Sequence, residues 1–254
     1  MRKLFPLILI AAFSLAQGLW VKRGDSEVSL GNDYLSLHLS REKGWLADRL
    51  EDREAGVIFA DFQIYTDYGI YERGYVGSKE EKEGKLEIEE GKENIAAIAE
   101  GELKRAGRTV SQPIRYKVIY KIGEKREIEV EVELTTKGGK KVSAFLAQLF
   151  TIPSVRQWLV EGLDGIISEN MGNSPGVRCW ESRLEPLNLD NPFIILLREK
   201  GIVRIEGIKS NPKAQNIFLL DGGEGNLVFF FGFMDGDMVE LPSEFKASYL
   251  MRWE

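Results

Sequence analysis

Two residue types are nearly absent from this 254-residue chain: it holds one cysteine, Cys179, and one histidine, His38. A lone cysteine excludes an internal disulfide, so the chain must hold together by packing. A catalytic role for Cys179 would need an activating base, and no second histidine exists to supply it; a small buried strand residue is the plainer reading. No P-loop, G-x-S-x-G, H-E-x-x-H or zinc-type cysteine pattern occurs, so the sequence calls for no metal and no cofactor. "DGD", Asp235 to Asp237, lacks the further ligands and the terminal Glu of a calcium loop and is taken as a hairpin turn. Helical periodicity is also scarce, never lasting more than about three turns. Its best stretch is "PSVRQWLVEGL", Pro153 to Leu163, with a proline at the position where helices start. Repeats, low-complexity tracts and linkers are missing as well.

One long apolar run exists, at the start. Arg2 and Lys3 precede "LFPLILIAAFSLA", a core of signal-peptide length that is short for a bilayer span. Small residues suit a cut before Gln17 or before Leu19. The expectation is a signal peptide over residues 1–18 and one domain over 19–254, with an uncleaved anchor as the alternative. No later run could span a membrane, and no cysteine follows the core to carry a lipid. The formal charge is −6, and it becomes more acidic once Arg2 and Lys3 are removed. An acidic exported chain is a poor partner for nucleic acid or an anionic membrane. The localisation expected is secreted or periplasmic.

What is abundant is period-2 alternation. "REIEVEVEL", Arg126 to Leu134, places Ile128, Val130, Val132 and Leu134 on one face and four glutamates on the other. "IRYKVIYKI", Ile114 to Ile122, is its hairpin partner across "GEK". "KLEIE" within the Lys/Glu-rich segment Gly77 to Asn94 reads as an exposed hairpin. "NLVFFFGFM", Asn226 to Met234, is apolar on both faces, which suits a central strand covered on both sides. Gly and Asp mark the turns in "TKGGKK", "DGGEGN" and "MDGDM". The fold class is all-β, in two large antiparallel sheets.

"LGNDYLSLHLSREKGWLADRLEDREAG", Leu30 to Gly56, contains the single histidine. Leu35, Leu37 and Leu39 point one way, and Tyr34, Ser36 and His38 the other. Asn32, Tyr34, Leu35, Gly44, Leu46, Leu50, Asp52 and Gly56 carry a pattern that resembles the first hairpin of galactose mutarotase-like proteins. Trp45, directly after the turn glycine, departs from it. The Gln112–Leu134 hairpin and the closing strands from Asn216 to Glu254 resemble the same superfamily, so the resemblance spans most of residues 19–254. It implies an antiparallel β-supersandwich with a sugar site on the concave face of a sheet. Members include epimerases, polysaccharide lyase and glycoside hydrolase domains, and noncatalytic carbohydrate-binding units. True mutarotases use histidines with a glutamate base. With His38 alone, and in the first hairpin, the resemblance does not extend to that reaction. His38 reads as a half-exposed strand residue in the frame of a sheet.

Two segments carry sugar-type chemistry. "YTDYGIYERGY", Tyr65 to Tyr75, sets four tyrosines among Asp67, Glu72 and Arg73. Aromatic rings stack on the apolar faces of sugars, while carboxylates and guanidinium groups bond their hydroxyls. Edge-to-edge packing of a tyrosine-rich strand is the alternative. "VRCWESR", Val177 to Arg183, places Arg178, Trp180 and Ser182 on one face of a strand, after the polar loop "SENMGNSPG". The other face sets Glu181 beside Arg183, which an ordinary surface ion pair also explains. The expected ligand-binding set is Tyr68, Tyr71, Arg73, Arg178, Trp180 and Glu181, converging on one cleft. Hydrolysis would need two flanking carboxylates, and a lyase would need a base such as Tyr68 or Tyr71. The function expected is a secreted carbohydrate-binding protein. The alternatives are a lyase or hydrolase acting on a glycan, acidic or neutral, and a noncatalytic envelope interaction domain.

Overall fold

The computed structural model describes residues 18–67, 75–104, 113–139, 141–162, 165–172, 178–181, 193–212, 216–233 and 239–254. Alternation becomes sheet throughout. A ten-stranded sheet runs β1 (Trp20–Arg23), β2 (Glu27–Gly31), β3 (Leu35–Ser40), β4 (Ala47–Asp52), β5 (Gly56–Asp67), β12 (Ala144–Ile152), β19 (Asn226–Phe233), β18 (Asn216–Gly223), β15 (Arg178–Glu181), with β6 (Tyr75–Gly77) also on β5. A nine-stranded sheet runs β14 (Gly165–Asn170), β13 (Val155–Gly162), β16 (Ile194–Arg198), β17 (Ile202–Asn211), β21 (Glu244–Trp253), β10 (Glu127–Thr135), β9 (Arg115–Ile122), β8 (Ile95–Glu102), β7 (Lys85–Glu90). β11 (Lys141–Val142) pairs with β20 (Val239–Glu240). Among the described residues the only helical turns are 3₁₀, Arg41–Lys43 and Ser78–Glu80.

The sheets pack face to face around one apolar core. Aromatic rings join them: Phe62 meets Tyr120 edge-on at 5.6 Å, Phe150 stacks on Tyr249 at 6.2 Å, and Phe145 meets Phe245 edge-on at 5.9 Å. Tyr120 is fully buried, and its hydroxyl accepts the backbone N–H of Ala47 across the sandwich, 3.1 Å away. A buried tyrosine needs such a partner.

The first hairpin is a frame, as its alternation implies. Leu35, Leu37 and Leu39 are fully buried, while Ser36, His38 and Ser40 face outward. Asn32 Oδ1 accepts the N–H groups of Tyr34 and Leu35, and its Nδ2 donates to the carbonyls of Gly123 and Lys125. One side chain therefore shapes its own turn and ties it to the β9–β10 turn of the other sheet. Gly44 has φ 69°, and a Cβ there would lie 2.1 Å from Tyr116 Oη, so only glycine fits. Trp45 also takes positive φ, 62°, and its indole donates to the Gly84 carbonyl.

β9 and β10 form the expected hairpin, and β7 with β8 the exposed one. β19 is central, with Leu227, Phe229 and Phe231 fully buried and Val228 and Phe230 half-buried on the other face. Where a helix is expected over Pro153 to Leu163, Val155–Gly162 form a strand instead. β13 pairs with both β14 and β16, and Val155, Trp158 and Val160 fill the core. A register shift between Val155 and Gln157 lets Val155 and Trp158 share a face despite being three apart. That spacing imitates one turn of helix in the sequence.

Candidate functional face

The outer face of the ten-stranded sheet divides into a charged half and an apolar half. Strands β2 to β5 carry the charged half. Ser29 Oγ lies 2.9 Å from His38 Nδ1, and His38 Nε2 lies 3.3 Å from Glu51 Oε2. The second contact lacks hydrogen-bond geometry and becomes an ion pair only when the imidazole is protonated. Arg49 then bridges Glu51 at 2.7 Å and Asp48 at 3.1 Å. Lys43 joins Asp48 to Asp61, and Lys79 and Gln63 also bond Asp61.

Asp61 is the unusual member. It has φ 62° inside β5. There Ala60 pairs with Thr151 and Gln63 with Leu149, so β5 carries one residue more than β12 and bulges. Burial pushes the Asp61 carboxyl up, but hydrogen bonds from Lys43 and Lys79 outweigh it and hold the carboxyl below the usual range. Burial lowers the basicity of His38 and the Arg49 cation lowers it further, and together they exceed the opposing pull of Glu51.

The apolar half lies on β5, β12, β19 and β18. Gln63, Leu149 and Phe230 share one cross-strand row, and Thr151, Val228 and Leu220 share the next. All six are half-buried, whereas their neighbours Phe62, Phe150, Phe229 and Leu219 are fully buried on the inner face. Strand alternation on a sheet with one packed face produces this split.

Tyr68, Tyr71 and Arg73 lie outside the described residues, as do Asp235 and Asp237 of the "DGD" turn; β5 and β6 flank the first group within the ten-stranded sheet. Arg178, Trp180 and Glu181 lie on β15 of the same sheet, and their side chains are outside the description. The backbone register puts Glu181 opposite Phe218, which pairs with Phe230, and Arg178 opposite Leu220, which pairs with Val228. Trp180 pairs with Leu219, because the register shifts between Arg178 and Trp180. Simple alternation would have kept Arg178 and Trp180 in step. β15 stands four strands from β5, roughly 19 Å at the usual spacing of neighbouring strands. The ladder thus sets Arg178 and Glu181 in register with the outer-face rows and Trp180 with inner-face Leu219, in the sheet that holds β5 and β6.

Leu149, Val228, Phe230 and the Lys43–Asp61–Lys79 cluster were not singled out from the sequence. A signal existed for one of them: Asp61 interrupts the otherwise apolar "VIFADF". Among the described residues no cluster of three or more His, Cys, Asp or Glu could hold a metal ion, and no helix is long and apolar enough to cross a membrane.

This architecture has counterparts among solved structures. Galactose 1-epimerase from Lactobacillus acidophilus NCFM matches at TM-score 0.54 and 10% identity, over 95% of this chain and 99% of its own. The fold is the galactose mutarotase-like β-supersandwich. The Slr1438 protein from Synechocystis sp. PCC 6803 matches this supersandwich at TM-score 0.56 and 9% identity, covering 98% of this chain and 99% of that one. The 4-alpha-glucanotransferase from Thermococcus litoralis matches at TM-score 0.50 and 10% identity, over 94% of this chain and 40% of the larger enzyme. Neither a protein-family profile nor a curated protein sequence matches the chain. At such identities the supersandwich shares its fold with these proteins, and its chemistry must be argued from its own residues.

Proposed function

We propose that this chain is an exported carbohydrate-binding protein whose ligand lies on the outer face of the ten-stranded sheet. One observation carries the reading: a half-buried strip of Leu149, Val228, Phe230 and Leu220 runs directly beside the Gln63–Asp61–Lys43 polar cluster. Sugars need that combination, an apolar platform for C–H faces and a rigid set of donors and acceptors for hydroxyls. Arg178 and Glu181 of β15 stand in register with Leu220 and Phe218 at the far side of this strip. The likeness to a galactose epimerase and a glucanotransferase supports a sugar-type ligand at the level of fold. Export rests on the N-terminal apolar core behind Arg2 and Lys3.

Binding without catalysis fits the carboxylates of this face. Asp48, Glu51 and Asp61 are each held by a lysine or arginine, whereas glycoside hydrolysis uses one carboxyl kept protonated and a second across the scissile bond. A glycan array probed with the full chain tests the reading. Binding to a defined set of glycans that is lost on Phe230→Ser is the expected result. Failure to bind any glycan removes the proposal, and release of soluble sugar from a polysaccharide panel replaces it with a lyase or hydrolase.

A further inference from the structure

The opposite sheet carries a trough of its own. On the outer face of the nine-stranded sheet, Leu250 is flanked in register by Glu129 and Glu206, and Ser248 by Glu131 and Lys209. Ser248 and Leu250, the short side chains between Lys246 and Arg252 on this face of β21, therefore lie between long ones on β10 and β17. The walls stand roughly 10 Å apart, two strand spacings. A bulge in β17 deepens the trough. Glu206 pairs with Leu250 and Lys209 with Ser248, so Gly207 and Ile208 together oppose Tyr249. Gly207 has φ 62° and nothing within 4 Å of where a Cβ would be, which leaves the wall bare at that point.

Three hollows of about 390, 500 and 300 Å³ follow one another along this line. The first two share Gly207 and Leu250, and the last two share Lys209 and Ser248. The first has an apolar floor of Phe193, Ile195 and Leu250 beneath Arg204 and Glu206. Along the rest, glutamates offer acceptors from one wall, and Lys209, which has no ion pair among the described residues, offers donors from the other.

We infer that this trough is a second carbohydrate site, taking an extended neutral oligosaccharide along β21. Carboxylates outnumber cations along it, which disfavours an acidic chain. A length of several strand residues, an apolar end and donors facing acceptors suit a row of neutral pyranose units. The inference rests on the carbohydrate reading above but uses a different sheet, so the two can fail separately.

Calorimetric titration of the full chain with maltohexaose, cellohexaose, xylohexaose and mannohexaose tests it. Ser248→Trp fills the floor, Lys209→Ala removes a donor from an exposed wall, and Tyr65→Ala alters the ten-stranded face. The expected result is that at least one hexasaccharide binds. Ser248→Trp and Lys209→Ala each then weaken that binding at least ten-fold, or remove one of two bound equivalents, with the denaturation midpoint unchanged. Tyr65→Ala leaves this component intact. If Ser248→Trp and Lys209→Ala bind like wild type while Tyr65→Ala does not, the trough is not a site and the ten-stranded reading stands. If wild type binds none of the four, the inference is overturned.

Discussion

The indole N–H of Trp253 donates to the buried carboxylate of Asp52 over 2.7 Å, joining residues 201 apart in the chain. The same carboxylate accepts the N–H groups of Glu54 and Ala55, and Arg126 approaches to 3.7 Å. Asp52 therefore closes the β4–β5 turn and fastens it to the last strand of the other sheet.

Asp52→Ala strands a buried indole N–H and two turn amides. It is expected to cost about 2–4 kcal/mol of stability, measured by urea unfolding. Burial pushes the Asp52 carboxyl up, but the bonds from Trp253, Ala55 and Glu54 outweigh it and hold it below its ordinary value of 3.8. A lowered folded value stabilises the protein above the unfolded one, and the contribution is lost as pH falls through the folded one. Wild type should thus lose stability below pH 3.8 more steeply than Asp52→Asn.

With one histidine in the chain, a single imidazole signal reports on the charged half of the face. Its titration midpoint should fall below 6.5, because burial and then Arg49 disfavour the imidazolium. Arg49→Gln should raise that midpoint. The folded state holds its proton less tightly than the unfolded chain, so the His38 contribution to stability is full above 6.5 and declines as pH falls toward the folded value. A midpoint at or above the free value, or no response to Arg49→Gln, refutes this.

Gly44→Ala meets both an unfavourable φ of 69° and the Tyr116 hydroxyl, which itself donates to the Gly44 carbonyl. The cost should be about 2–4 kcal/mol. Introduced into Tyr116→Phe, which removes the obstructing oxygen, the same change should cost less. Thermal unfolding of the double-mutant cycle measures the difference, and strict additivity would mean that backbone strain alone is responsible.

On the proposed sugar face, Phe230→Ser and Arg178→Ala should each weaken glycan binding by about 1–3 kcal/mol, as loss of an anchoring aromatic or arginine does. Phe230 is half-exposed, so its replacement should move the denaturation midpoint little. Titration with a glycan selected from the array reads both effects.

Much of the fold was legible because a strand with one packed face writes its orientation into every second residue. Ile128 to Leu134 and Leu35 to Leu39 needed no structure to be placed. β13 was not legible, since a bulge put Val155 and Trp158 three apart and Pro153 stood where helices begin. The site was legible only in its composition. Clustered tyrosines, Trp180 and Arg178 drew attention by type, whereas Leu149 and Phe230 look like core until the register shows that they share the outer face. Asp61 gains its two lysines from neighbouring loops, a meeting that no local pattern encodes.

β21 lies between β10 and β17, and its contact with β10 joins Lys246 to Glu133, 113 residues apart. Until those later residues are synthesised, β10 and β17 each present an open edge, and the nine-stranded sheet exists only as two separate ribbons. Closure of the sandwich is therefore a late event in the life of the nascent chain. A polypeptide cut short before Glu244 would expose two adhesive edges at once, which makes it a substrate for holding chaperones and, without them, for aggregation.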